Sequence, residues 1–328
     1  MKTTPSYPLE FYAAWFGDHC DRLRSASGGV MPLLGRRIIG QGGVVYGTRW
    51  SEGFKAVVAK ASSMEELEAF KGSKYVQSTT SPEVYADVVT EVKSGRPVLF
   101  SGLPCQIAGL MAKFDRKYEN LITVDLICHG VPPQSAFESE LGRFRHLLKK
   151  HRIDNITFRG NDSHDYNLAF WSGEKCVRSI KGYAQPYFAA YLLGINLKDA
   201  CYKCPFSRPV RIGDITVGDY IGRGEKNVSC VSLNTPAGRS FFTDVVSDNP
   251  KLHVEKRDYN ERLRYGLSLV EPVQPGRLHE RYVALSGHMS PASSARISLF
   301  FHLLRYRSSL LIVAVKRSLG IKGSVFKR

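Results

Sequence analysis

Two thiols stand two residues apart in CYKCPF, as Cys201 and Cys204. A CxxC bends so that both sulfurs face one point, which suits a metal ion, a metal-sulfur cluster or a redox disulfide. Pro205 follows the second thiol directly, as a proline does in ferredoxin-type cluster runs. Two more thiols, Cys105 in GLPCQ and Cys128 in ICHG, fall at or just past the ends of apolar, strand-like runs. Together with the CxxC pair they make four thiolates, the complement of an all-cysteine zinc site or a 4Fe-4S cluster. Zinc sites usually draw on two local pairs and here only one pair is local, so the spacing leans toward a cluster and leaves zinc and a dithiol open. Cys176 and Cys230 lie in strand-like runs and read as small core hydrophobes. Cys20, ahead of the turn-rich SASGG, fits neither pattern.

Two further stretches could hold a ligand. In SASGGVMPLL, Gly28 and Gly29 separate small hydroxyls from a helix-like run, and the unpaired amides of a helix start can cradle a phosphate. The plain reading is a helix-entry turn. GSKYVQS offers Lys74, Tyr75 and Gln77, a cation and hydrogen-bonding groups suited to an anionic or ring-bearing cofactor, or else a solvated loop. Asp125 and His129 flank Cys128 and are placed to relay protons, although His129 could equally satisfy the turn that ends its strand. Arg211, Asp214 and Asp219 follow the CxxC and read as braces for its loop.

The elements that must position these groups are legible as an α/β succession. GGVVYGTRW and KAVVAKA read as short valine-rich strands. Ser62 with Glu65, or Ser63 with Glu66, caps a helix over ELEAF, and Ser81, Pro82 and Glu83 open another over PEVYADVVTEVK that stops at Gly95. PVLFSG and LITVDLIC are buried strands by their apolar runs, each followed by a helix. This predicts a mostly parallel sheet with covered faces, and open sheets of that kind gather ligands at the carboxyl ends of their strands. Cys105 and Cys128 are thereby expected to be neighbours in space. Beyond Arg152, IDNITFRG and NLAFWSGEKCVRSI predict a smaller antiparallel sheet with SGE as a hairpin turn. YAQPYFAAYLLG and PAGRSFFTDVVSD read as helices.

With 328 residues the chain can bury a core without staples, and its seven cysteines are an odd count for pairing. The start, MKTTPSYPLEFYAAWFGDHC, lacks the pattern of a secretory signal, so the thiols read as reduced in a cytoplasmic setting. Net charge is +16, and nine of those charges lie between Gly276 and Arg328, where only Glu280 is acidic. Such a tail suits a docked helix or partner-binding segment, or a peripheral membrane contact at an anionic surface. The apolar runs ISLFFHLL and LLIVAV are split by Arg305 and Arg307, each too short to span a bilayer. No interleaving of aromatic and basic residues points to nucleic acid.

The ordered set SASGG, GGVVYG, GSKYVQS, VLFSGLPCQIAGL, LITVDLICHGVPP, CYKCPF and DITVGDY resembles the beta-subunit family of deazaflavin-reducing (coenzyme F-420) hydrogenases and dehydrogenases, over roughly residues 10 to 245. Within that family the chain resembles the bacterial type found in polysaccharide-biosynthesis loci. The resemblance implies an iron-sulfur flavoprotein oxidoreductase that binds FAD beside a 4Fe-4S cluster and passes electrons between a ferredoxin-like carrier and a small organic substrate. It implies Cys105, Cys128, Cys201 and Cys204 as cluster ligands. For the flavin it implies Ser27, Gly28, Gly29, Lys74, Gln77, Ser101 and Gly102. Lys74, as a cation stabilising the reduced ring, and His129 are the catalytic candidates. The expected division is a flavin-contacting part over 1–90, an iron-sulfur and flavin domain over 91–255 and a basic helical tail over 256–328. Two departures from the family pattern stand out: no ferredoxin-like cysteine cluster precedes Ser25, and GDYIG stands where relatives read GDFWG. A scaffold with a structural zinc or cluster, and a deazaflavin-reducing subunit of a larger complex, are the rival readings.

Overall fold

Four apolar runs, too short and too β-branched for helices, form the parallel centre of an eight-stranded sheet. The computed structural model describes residues 8–159, 165–221 and 227–318. The strands in chain order are β1 (Glu10–Phe16), β2 (Val44–Ser51), β3 (Lys55–Ala61), β4 (Val98–Gly102), β5 (Leu121–Leu126), β6 (Asn155–Arg159), β7 (Tyr166–Ser172), β8 (Lys175–Lys181), β9 (Ile215–Asp219), β10 (Ser229–Leu233) and β11 (Leu252–Lys256). The large sheet runs β11-β1-β10-β9-β5-β4-β2-β3, and β6-β7-β8 make a separate antiparallel sheet. Within the large sheet β2, β4, β5 and β9 are mutually parallel. The antiparallel partners β3 on one side and β10, β1 and β11 on the other complete it. This is the predicted α/β architecture, with its second, smaller antiparallel sheet.

Both faces of the parallel centre are covered, which is why its strands carry continuous apolar runs such as VVY and VLF, and why even the polar Thr123, Asp125 and Thr216 in them are buried. Val45, Leu99, Val124 and Val217 pack under helices Val30–Gly40 and Pro236–Asp248. Val44, Tyr46, Val98 and Phe100 point the other way, against helices Pro82–Lys93 and Pro104–Met111. Local signals hold where they were clearest. Ser63 accepts from the Glu66 amide while the Glu66 carboxylate reaches the Ser62 amide. Thr235 caps Pro236–Asp248, and Pro82–Lys93 stops just before Gly95 at φ 85°. The stretch SAFESELGRFRHLLKK breaks at Phe144 into Gln134–Arg143 and Arg145–Lys150.

The small sheet packs on helices Gln134–Arg143 and Pro186–Leu192 through Phe137, Phe158, Phe170, Tyr187 and Phe188. The C-terminal helices Arg277–Ser286, Pro291–Ser298 and Phe300–Ser318 then lean on Pro186–Leu192. Among the described residues no helix is long and apolar enough to cross a membrane. Residues 1–7 of the expected flavin-contacting part, Gly160 of IDNITFRG, Gly222 of GDYIG and residues 319–328 of the basic tail lie outside the described residues.

A buried acid locks the C-terminal helices to the body. Glu140 is fully buried, and one of its carboxylate oxygens accepts from Gln185 at 2.9 Å and from Arg296 at 3.0 Å. Burial pushes its carboxyl up to about 7, against the opposing pull of Arg296 and Arg143. A raised folded-state value favours the protonated acid, so this stabilisation is complete below the ordinary carboxylate range and is lost as pH rises through about 7. Between pH 4.5 and 7.5 Glu140→Gln is expected to gain about 2–3 kcal/mol relative to the native chain. Parallel denaturant titrations check this; identical pH profiles for the two proteins would contradict it.

Candidate functional site

The carboxyl ends of β2, β4, β5 and β9 open into a cavity of about 270 Å³. Its walls are Val45, Gly47 and Thr48 of β2, Ser101 and Gly102 of β4, the segment from Leu126 through Val131 after β5, and Val217, Gly218 and Asp219 of β9. The start of helix Val30–Gly40 closes one side. Of the residues expected to hold a ligand, Ser27, Gly29, Lys74, Ser101, Gly102 and His129 line this cavity, and so does Cys128.

Gly28 and Gln77 do not line it. The Gly28 amide donates to Ser229 Oγ at 2.9 Å, and a Cβ at Gly28 would stand 2.3 Å from the Ala14 carbonyl oxygen and 2.6 Å from the Ser229 nitrogen. Gly28 is thus the residue that lets the SASGG turn press onto β1 and β10. Gln77 is held through its backbone, whose N–H donates to the Pro132 carbonyl at 2.9 Å.

Gly29 begins helix Val30–Gly40 at φ 81°, with no side-chain cap and no acid in the first turn. First-turn amides have no acceptor inside their own helix, and the helix dipole favours an anion there. Lys71 adds a cation to the same wall; it pairs with Asp21 and, at 2.7 Å, with Glu68. Burial alone would raise Asp21, but hydrogen bonds from Lys71 and Arg36 hold it below the usual carboxylate range. Lys74 is differently engaged. Its ammonium donates to the carbonyls of Ala69, Lys71 and Gly72 at 3.2, 2.9 and 3.2 Å, and burial pushes it down to about 7.

Part of the lining is aromatic. Tyr75 stacks on Tyr191 at 4.9 Å between ring centroids, and its hydroxyl accepts from Arg159 Nε at 3.0 Å. Arg159 also pairs with Asp219 and lies 4.6 Å over the Tyr166 ring. His129 meets Tyr191 edge-on at 5.5 Å. Burial holds the imidazole below its ordinary value while a hydrogen bond to the Tyr191 backbone pulls the other way. Its Nε2 is buried without a hydrogen-bond partner among the described residues. Asp125 stands apart, fully buried and 3.4 Å from Arg211.

The four thiols come from three directions. Cys105 opens helix Pro104–Met111 after β4, Cys128 follows β5, and Cys201 lies in the turn Asp199–Lys203 that Cys204 ends. Desolvation raises the Cys105 thiol first, and the charges of Cys204 and Cys201 raise it further. Burial pushes Cys128 up to about 12, with Cys201, Cys105 and Cys204 adding to it and the Gly130 amide opposing. Cys201 is raised by burial, against the Val131 amide and with Cys204. The four therefore share one neighbourhood, where thiolates are costly unless something positive neutralises them.

The backbone around the thiols is arranged to bring them together. The Gly130 N–H donates to Cys128 Sγ at 3.3 Å. At φ 104°, Gly130 takes a turn that runs the ICHG loop beside the CxxC, and a Cβ on it would lie 3.2 Å from the Cys201 Cβ. Lys198 N–H donates to the Val131 carbonyl at 2.9 Å, tying the two segments. Tyr202, inside the CxxC, bonds the Gly194 carbonyl at 2.9 Å and His279 Nδ1 at 2.9 Å. Arg211 bridges the carbonyls of Phe206 and Leu126, the brace its position suggested. Among the described residues, no group of three or more Cys, His, Asp or Glu side chains closes on a single metal ion.

Several expectations need correction. Cys176 is exposed rather than packed in a core, whereas Cys230 is buried as expected and Cys20 is exposed. Ile221 is exposed and outside the cavity walls. Arg159 and Tyr191 were not foreseen as wall residues, and no local signal marks them, because packing of the small sheet against the large one delivers them.

A family model for the C-terminal part of the beta subunit of coenzyme F420 hydrogenase/dehydrogenase matches residues 95–258. That stretch holds all four clustered cysteines. Among solved structures, the chain is similar to one from the F420-reducing NiFe hydrogenase complex of Methanosarcina barkeri, at 15% identity and a TM-score of 0.52, covering 94% of this chain and 95% of that one. The likeness is one of fold. No curated protein matches the chain.

Proposed function

Because this chain belongs to the coenzyme F420 hydrogenase/dehydrogenase beta-subunit family, we propose that it is an electron-transfer flavoprotein, with FAD in the cavity and a 4Fe-4S cluster on Cys105, Cys128, Cys201 and Cys204. The observation that carries this reading is the segment from Leu126 through Val131, which lines the cavity and supplies one thiol of the group. A ligand in the cavity therefore adjoins whatever the thiols bind.

The donor set suits both groups. Desolvated, mutually repelling thiols with backbone amides aimed at two of them favour a positively charged inorganic centre. On the other side, the free first-turn amides of Val30–Gly40 and the Lys71 cation suit the phosphates of a dinucleotide, and Tyr75 and Tyr191 suit a flat ring. When bound, a flavin would exchange two electrons with an organic substrate, and a cluster would pass them singly to or from a ferredoxin-like carrier protein.

The chain's own groups bind and orient. Val30 and Met31 offer amides to an anion; Lys71 neutralises it. Lys74 fixes the loop from Ala69 to Tyr75 through three carbonyls, so it acts on a bound ring by positioning this loop. His129 lines the cavity, and burial favours its neutral form, the form that can take a proton from a substrate. The family's name favours a deazaflavin as the organic partner, which is the second reading.

FAD added to cofactor-free protein is expected to lose its fluorescence with an end point at one equivalent. Lys71→Met should weaken that binding about tenfold, the loss of one charge-assisted contact, with iron content unchanged. Absence of quenching, or equal affinity in the variant, would contradict the site.

A further inference from the structure

The last two helices carry an apolar surface that the rest of the described chain leaves open. Helix Pro291–Ser298 leads through Leu299 into helix Phe300–Ser318. Their inner side is occupied, with Ala295, Leu299 and Leu303 packed on Ala189, Ala190 and Ile195. Their outer side presents Ile297, Phe300, Phe301 and Leu304, exposed by 39%, 57%, 74% and 55%. Isolated apolar side chains on a surface need no explanation, but this many on one stretch of helix do.

Charge says what the face fits. Arg305 and Arg307 are both exposed, and at about 100° per residue they fall on opposite flanks of the face formed by Phe300, Phe301 and Leu304. Between Gly276 and Arg328 the chain has an excess of nine positive charges, with Glu280 its one acid. Among the described residues no helix is suited to crossing a bilayer. Phenylalanine and leucine on one face with cations at its borders is the pattern of a helix that lies in the interfacial plane of an anionic membrane. A protein groove would also accept the apolar stripe, but so one-sided a charge complements a uniformly negative surface.

We propose that this face rests on an anionic lipid bilayer, with Phe300, Phe301 and Leu304 entering the acyl boundary and Arg305 and Arg307 meeting lipid phosphates. The contact stands independently of any cofactor, and it would hold the cavity and thiol group at a membrane surface.

The test is co-sedimentation of the full chain with vesicles of phosphatidylcholine alone or mixed with phosphatidylglycerol. Partitioning is expected to be at least about tenfold stronger on the mixed vesicles and to weaken with salt. Phe300→Ser with Phe301→Ser should lower it about tenfold or more; both side chains are exposed, and an unchanged circular dichroism spectrum confirms folding. Arg305→Gln with Arg307→Gln should lower it about three- to tenfold. Equal or absent binding to the two vesicle types would overturn the proposal, as would full binding by the phenylalanine variant. A lipid-free dimer that the same phenylalanine variant dissolves, without vesicle binding in the native chain, would overturn it too and assign the face to a second copy.

Discussion

Cys201→Ser, purified without oxygen, is expected to carry roughly tenfold less iron than the native chain and to lose its brown colour, since one missing thiolate opens the cluster to solvent and chelators. Cys201 sits where three segments meet: the CxxC turn, the ICHG loop through Gly130, and the helix start at Cys105, whose thiol feels the Cys201 charge. Serine is smaller and far less acidic, so it keeps the turn but not the thiolate. The fold should survive, because Tyr202 still ties the turn to Gly194 and His279. Cys176→Ser is the matched control: this thiol is exposed on β8 and contributes nothing to the four. Undiminished iron in Cys201→Ser, or equal loss in both variants, would remove the ligand assignment.

Gly28→Ala is the second large effect, and it acts on the fold. The added methyl would meet backbone atoms of Ala14 and Ser229, in two strands of the large sheet, at 2.3 and 2.6 Å. Backbone in a sheet cannot give way as a side-chain tip does. The cost is expected to reach about 3 kcal/mol, the upper part of the range for overpacking. For a chain of this size that lowers Tm by about 4–5 °C. Because the same turn leads into helix Val30–Gly40, FAD affinity should fall along with stability. A Tm within a degree of the native protein would contradict this account of the turn.

Gly28 also shows how far the sequence could be read. SASGG marks a special backbone before a helix, and that much is local chemistry. Whether its glycine touches a ligand or a neighbouring strand depends on β1 and β10, which lie beside it only after the sheet has formed. The parallel centre was legible because PVLFSG and LITVDLIC carry continuous apolar runs of the kind that strands buried on both faces need. Strand β1 and the edge strand β11 were not, since EFYAAWF does not alternate cleanly and LHVEK is only five residues long. In the same way Cys105 and Cys128 could be placed together from strand ends, whereas Arg159, Tyr191 and the Lys74 clasp came from the packing of distant segments. The tail's charge was plain in the composition. Which of its faces is covered was decided by Ala189, Ala190 and Ile195.

The most direct test of the central claim is the cofactor content of native protein purified under strict anaerobic conditions, measured as iron, acid-labile sulfide, zinc and flavin per chain. The account predicts about four irons, about four sulfides and one FAD per chain, with flavin and broad cluster absorbance in the same spectrum. A colourless protein carrying one zinc and no flavin would contradict it.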